Sequence, residues 1–169
     1  GTVIATVAAG NAQDAAGNSN ANSTSADNNV QYDATAPTVT INQGAAQAVP
    51  TNVSPIIFDV VFSKSVTGFT GTDITLGGTA GATTAVVTGS GTTYSVAVNG
   101  MTLDGTVTAT IAAGAAVDTF GNSNAASTST DNTVLYGITA PTVTIDQAVG
   151  QADPTNTSPI NFVVCSANR

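Results

Sequence analysis

The sequence repeats itself at a spacing of 104 residues, and this internal repeat limits the possible folds more than any other feature. When the chain is shifted by that distance without gaps, 40 of the 65 overlapping positions are identical. The shared runs include residues 17–20 with 121–124 and residues 35–41 with 139–145. Identity at a fixed spacing is typical of arrays in which one structural unit recurs.

The repeat also predicts where the chain divides. Both copies carry a Thr-Ala-Pro segment, at 35–37 and at 139–141, and a proline at such a place marks a boundary between regular elements. We therefore expect residues 1–34 to be the C-terminal part of a preceding repeat and residues 35–138 to be one complete repeat. Residues 139–169 are then the N-terminal part of a following repeat.

The last five residues depart from the repeat, because identity with the earlier copy ends at Val164. Suppose that residues 61–65 are encoded by GTG TTC AGC AAA TCG and a following G. Losing the first base then gives Cys-Ser-Ala-Asn-Arg, which is the sequence found from Cys165 to Arg169. An out-of-frame reading from residue 165 is our hypothesis, a divergent last strand is the alternative, and the coding DNA distinguishes them.

Composition favours β-structure over helix. All ten acidic residues are Asp, only 7% of the chain is charged, and Thr and Ala together contribute 58 residues. Such a chain lacks most strong helix formers and helical ion pairs, whereas Thr and Val suit strands. Apolar and polar residues alternate in short runs such as 56–63 and 106–111, with glycine-containing turns such as 89–91 between them. We predict an all-β fold, an antiparallel β-sandwich with about seven strands per 104-residue repeat.

The same composition argues against several functions. A net charge of −8 with only two basic residues does not suit binding to nucleic acid. No apolar run approaches the roughly 18 residues of a membrane span. The chain has no His, no Glu and one Cys, so most acid–base, nucleophilic and zinc chemistry lacks its groups. We therefore expect a protein that is not an enzyme.

Four segments together resemble the bacterial Ig-like repeats of very large surface adhesins, of the biofilm-associated-protein type. These segments are residues 35–41, 62–75, 104–111 and 118–124. The resemblance implies an Ig-like sandwich in tandem, outside the cell on a bacterial surface, often with Ca²⁺ at or near the joints. It also implies a stalk function that supports adhesion or biofilm formation. The alternative is an accessory Ig-like module, with carbohydrate as a candidate ligand, attached to an extracellular hydrolase.

One repeated motif has the character of a metal site, Asp-x-x-Gly-Asn-x-Asn. Its candidate ligands are Asp14, Asn18 and Asn20 in the first copy and Asp118, Asn122 and Asn124 in the second. Hard cations such as Ca²⁺ prefer these carboxylate and amide oxygens. Asp33 and Asp131 lie near the joints and are further candidates, although Gly137 replaces Asp33 at the second joint. The alternative is an ordinary turn, because Asp, Asn and Gly are also common turn residues.

The partial repeats lead to a prediction about partners. Neighbouring repeats of the same chain are the first expected partners. Strands without partners tend to pair with other strands, so we also expect the two partial repeats to associate with each other or with neighbouring molecules. Such contacts would be strand-swapped or head-to-tail.

Overall fold

The structure, a computed structural model, describes residues 1–167 and is all-β, which confirms the all-β part of the predicted fold. These residues form no α-helix, and their only helical element is a 3₁₀ turn at Gly71–Asp73. The strands are β1 (Thr2–Ile4), β2 (Asn29–Gln31), β3 (Val39–Gln43), β4 (Ile56–Thr67), β5 (Ile74–Gly77), β6 (Thr84–Asn99), β7 (Gly105–Ile111), β8 (Val117–Asp118), β9 (Thr133–Tyr136), β10 (Thr142–Gln147) and β11 (Phe162–Ala167).

The strands form four antiparallel sheets. Residues 35–138 contain two of them, one in the order β3-β4-β6 with β8 also paired to β4, the other in the order β5-β7-β9. Strands β1 and β2 pair only with each other in the described part of the chain, and the same holds for β10 and β11. The proposed frame change covers residues 165–169, of which 168 and 169 lie outside the described residues.

Strand β6 is assigned as one extended segment of 16 residues, but it folds back on itself. A straight strand of that length would separate its ends by about 50 Å. Yet the amide of Thr83 donates to the carbonyl oxygen of Asn99 at 3.0 Å. The reversal lies at residues 89–91, where Gly89 and Gly91 have φ angles of 111° and 70°. The turn that the sequence predicts at this place is therefore present.

Strand β4 shows how the sequence pattern produces the core. Its side chains at Ile56, Phe58, Val60 and Phe62 are buried, while Asp59 and Val61 between them are exposed. Alternation at a period of two places one set of side chains on each face of a strand. Buried residues of both sheets in 35–138 belong to one hydrophobic cluster, which also includes Val39, Ile41, Ile74, Tyr94, Val96, Val98, Val107, Ala109, Ile111, Val134 and Tyr136.

Residues 1–34 and 139–167 share many apolar residues with their sequence copies in 35–138 but have no such core. Val39 is 1% exposed in β3, whereas Val143, its counterpart in β10, is 68% exposed. All residues of β1, β2, β10 and β11 are exposed. Burial of a given side chain in this fold therefore depends on the second sheet and not on the local sequence alone.

Truncating the buried face of β4 tests this account of the core. Phe58→Ala should lower the free energy of unfolding of the complete repeat by about 3–5 kcal/mol, because a large buried ring leaves a cavity. Val61→Ala is the matched control on the exposed face of the same strand, and should change stability by less than about 0.5 kcal/mol. Urea unfolding measures both, and equal effects of the two substitutions would contradict the assignment of faces.

Candidate functional site

The second Asp-x-x-Gly-Asn-x-Asn motif begins at Asp118, the last residue of β8, and forms a loop closed by its own hydrogen bonds. The Asp118 Oδ1 atom accepts the backbone amides of Phe120 and Asn122, each at 2.9 Å. The Asn122 side chain donates to Asp118 Oδ2 at 3.1 Å. The Gly121 amide donates to the Asp118 carbonyl oxygen at 3.0 Å. The Asp118 carboxylate thus holds the loop in the manner of an Asx turn.

The first motif forms the same network 104 residues earlier. Asp14 Oδ1 accepts the amides of Ala16 and Asn18 at 2.9 and 3.0 Å. The Asn18 side chain donates to Asp14 Oδ2 at 2.9 Å, and the Gly17 amide donates to the Asp14 carbonyl oxygen at 3.0 Å. The two copies differ in burial, because the Asp14 loop is exposed whereas the Asp118 side chain is 2% exposed.

The last Asn of each motif fixes the loop to the preceding backbone. Asn124 Oδ1 accepts the Ala116 amide at 2.8 Å, and its Nδ2 atom donates to the Ala112 carbonyl oxygen at 3.0 Å. Asn20 makes the equivalent contacts with Ala12 and Ala8, at 2.8 and 3.0 Å. These oxygens already accept backbone amides, so both Asn side chains have a structural role in the loops.

Lys64 connects the second loop to the linker, residues 33–37, which precedes strand β3. Lys64 Nζ lies 2.6 Å from Asp33 Oδ2 and 3.2 Å from Asp118 Oδ2, and it also donates to the Thr35 carbonyl oxygen. Asn122 Nδ2 donates to the Asp33 carbonyl oxygen at 3.1 Å. The ammonium group of Lys64 therefore sits between the two carboxylates that the sequence assigned to a cation.

These contacts change the protonation of the three charged groups. Burial raises the pKa of the Asp118 carboxyl, but the hydrogen bonds from Asn122, the Phe120 amide and Lys64 outweigh burial and lower it to about 2. The hydrogen bond from Lys64 lowers the pKa of Asp33, and the same bond raises the pKa of Lys64. All three groups are charged at neutral pH, which keeps the contacts between them intact.

The second joint, between the complete repeat and residues 139–167, is built differently. Gly137 stands in place of Asp33 and contributes no carboxylate. Instead, Asp104 Oδ1 accepts the amides of Ile138 and Thr139 at 2.6 and 3.1 Å, and contacts with these residues lower the pKa of Asp104. The backbone at the second joint is thus held by the carboxylate of Asp104, the residue that directly precedes β7.

The structure brings together some of the predicted metal ligands and separates others. Asp33, Asp118 and Asn122 meet around Lys64, whereas Asp14, Asn18 and Asn20 form a loop of their own. The Asp131 carbonyl oxygen accepts the Gln43 amide at 2.6 Å. Within residues 1–167, no group of three or more His, Cys, Asp or Glu side chains could hold a metal ion. Calcium binding by these residues stays a prediction.

Lys64 is not among the residues that the sequence motifs indicate for the site. The available signal was that Lys64 is the only lysine of the chain and lies in β4 between the buried residues Phe62 and Val66. Comparisons with protein families, with curated proteins and with solved structures find no match. Within residues 1–167, no helix is long and apolar enough to cross a bilayer.

Acid unfolding tests the role of the Asp118 carboxylate. A carboxyl group whose pKa falls from 3.8 to about 2 on folding stabilises the fold fully above pH 3.8. That contribution should be lost as the pH falls towards 2. Asp118→Asn should lower the melting temperature at neutral pH and make its decline between pH 4 and 2 shallower. Asp14→Asn, in the exposed copy of the motif, is the control and should leave the melting of the complete repeat nearly unchanged. Identical acid profiles for Asp118→Asn and the parent chain would contradict the assignment.

Limited proteolysis tests the contact between Lys64 and the first joint. Lys64→Met should lower the melting temperature, because it leaves the buried Asp118 carboxylate without its ammonium partner. It should also speed elastase cleavage between residues 33 and 37, because Asp33 loses its anchor. Asp33→Asn should affect cleavage more than melting, and Asp27→Asn, in the exposed first segment, should affect neither. Unchanged cleavage in both the Lys64 and Asp33 variants would show that the ion pair does not hold the linker.

Proposed function

We propose that this chain is part of a non-catalytic stalk, built from tandem Ig-like repeats, of a secreted bacterial surface adhesin. The observation that carries the proposal is the repeated loop network. The hydrogen bonds of Asp118 with Phe120, Gly121 and Asn122 recur at Asp14 in a second sequence copy. Matching local structures at matching positions are what a stalk of identical modules requires.

The arrangement of the complete repeat supports an Ig-like sandwich. Two antiparallel sheets of residues 35–138 contribute their buried faces to one hydrophobic cluster. Strand β3 contacts both β7 and β9 of the other sheet, which is how the strands of two facing sheets meet. The exposed faces are rich in Thr, as at Thr40 in β3 and Thr110 in β7, which suits a module surrounded by water.

The first joint supports the mechanical side of the proposal. A stalk transmits length and force only if the linkers between modules are held in place. Lys64 and Asn122 of the complete repeat both bind Asp33 in the preceding segment, so the linker is fixed by side chains at this joint. Asp104 binds the backbone of the linker at the second joint. Stalk function at a cell surface, in adhesion or biofilm formation, would use joints of this kind.

Calcium is the proposed cofactor of both loops. The loops differ in that Lys64 forms an ion pair with Asp118 but not with Asp14. In the Asp118 loop a bound cation would have to displace the Lys64 ammonium group, which already lies between Asp33 and Asp118. Both ion pairs found within residues 1–167 are made by Lys64, so in that range Asp14 has no ion pair with Lys or Arg. The Asp14 loop is therefore the more accessible of the two for an exchangeable cation.

Calcium titration of the parent chain and of Lys64→Gln tests this part of the proposal. With a dissociation constant of ~1 mM, ~10 mM Ca²⁺ stabilises a protein by roughly 1.4 kcal/mol for each occupied site. Lys64→Gln removes the competing ammonium group, so its melting temperature should rise more between EDTA and Ca²⁺ than that of the parent chain. In Lys64→Gln with Asp118→Asn, the additional rise should disappear. Melting temperatures that are the same in EDTA and in Ca²⁺ for all three proteins would remove the calcium proposal.

The complete open reading frame tests the stalk proposal directly. A stalk predicts many further copies of the 104-residue repeat, behind a secretion signal and without a catalytic domain among them. One or two copies next to a hydrolase domain would instead favour the accessory module, and a glycan array would then test for carbohydrate binding.

A further inference from the structure

The complete repeat shows what lies beside strand β3 in the finished fold. One edge of β3 pairs with β4, and the other edge binds the segment 125–131, which follows the Asp118 loop. Four hydrogen bonds join them: Ala125 N to Pro37 O at 2.9 Å, Thr128 N to Val39 O at 3.1 Å, Ile41 N to Ser129 Oγ at 3.1 Å, and Gln43 N to Asp131 O at 2.6 Å.

Both sides of this contact occur a second time in the chain, and neither has its partner in the described residues. Strand β10 is the copy of β3 and pairs with β11 along one edge only. Segment 21–27 is the copy of 125–131. All eight residues of the four bonds are identical in the copies, namely Pro141, Val143, Ile145 and Gln147 on one side and Ala21, Thr24, Ser25 and Asp27 on the other.

We propose that β10 of one molecule docks against segment 21–27 of a second copy of this chain and restores these four hydrogen bonds. The contact is heterologous, since it joins the C-terminal part of one molecule to the N-terminal part of the next. Contacts of this kind produce open chains of molecules unless the geometry closes a ring. This inference goes beyond the proposed stalk function and does not depend on it.

The apolar faces next to the two edges support the same pairing. Val30 and Tyr32 are exposed, but their counterparts Val134 and Tyr136 belong to the core of the complete repeat. Ile145, at 65% exposed, corresponds to Ile41, which is fully buried. Docking of β10 beside segment 21–27 brings these faces together as they meet in the complete repeat. Removing such side chains from water is the main driving force for association.

The composite formed by two molecules is less complete than the central repeat. Residues 66–104, which contain β5 and β6, have no second copy in this chain, and identity ends after Val164. The face of the composite that β6 would cover remains exposed. The association should therefore be weaker than the packing of the complete repeat and should depend on protein concentration.

Sedimentation velocity of the 169-residue chain under reducing conditions tests the proposal. The parent chain should form larger species as its concentration rises. Ile145→Asp should abolish this association, because it places a charge on the face that docks. Thr144→Asp is the matched control on the neighbouring residue of β10, whose counterpart Thr40 is exposed in the complete repeat, and it should associate like the parent chain. Both variants should retain the melting transition of the complete repeat, which shows that they are folded.

Mixing two variants that cannot associate on their own distinguishes head-to-tail docking from non-specific association. Val30→Asp blocks the N-terminal face and Ile145→Asp blocks the C-terminal face, so each variant alone should be monomeric. An equal mixture retains one intact face of each kind and should form one-to-one dimers without longer chains. A parent chain that stays monomeric at every concentration, a Thr144→Asp variant as defective as Ile145→Asp, or a mixture without dimers would each overturn the proposal.

Discussion

The burial of one face of strand β4, with the other face exposed, is the constraint on which the fold of residues 35–138 depends. This strand pairs with β3, β6 and β8, so its register fixes the positions of three other strands. Its buried side chains include Phe58 and Phe62 in a chain in which only 5% of the residues are aromatic. The Phe62 ring packs edge-to-face with both Phe69 and Tyr94, at centroid distances of 5.2 and 5.8 Å. A slip of one residue would turn this face towards water, which explains why the core can be specific although many of its other members are small.

The sequence predicts the features of this fold that depend on local patterns. All-β structure, the alternation of β4 and the turn near Gly89 follow from composition, periodicity and glycine conformation, and the structure contains them. Strand β8 has only two residues, which is too short to show any periodicity. The position of Lys64 depends on a contact between residues 54 positions apart in the chain, and no local pattern encodes it. The predicted ligands Asp33 and Asp118 do come together, but a side chain of the protein itself lies between them.

The contacts of Lys64 show how this acidic chain compensates two of its negative charges, those of Asp33 and Asp118. Two carboxylates at a joint repel each other, and a fold that brings them together needs a positive charge nearby. In this chain the positive charge is the Lys64 side chain of strand β4, so the folded chain itself supplies the compensating charge beside Asp33 and Asp118. An exchangeable cation would instead make closure of the first joint depend on its concentration. The joint with Lys64 and the joint with Gly137 are therefore expected to respond differently to the ions around the protein.

The two copies of the repeated sequence show that the same residues can be buried in one place and exposed in another. The run Thr-Val-Thr-Ile occurs at 38–41 and at 142–145, yet its Val and Ile are buried in one place and exposed in the other. The difference comes from the facing sheet, which belongs to the same repeat for β3 and is missing from the described surroundings of β10. Stability in this fold is thus a property of a whole repeat, whereas the hydrogen-bonded Asp loops keep the same form even where they are exposed. Loop geometry is local and core formation is not, so residues 1–34 keep the turn of the Asp14 loop although their strands lack a facing sheet among the described residues.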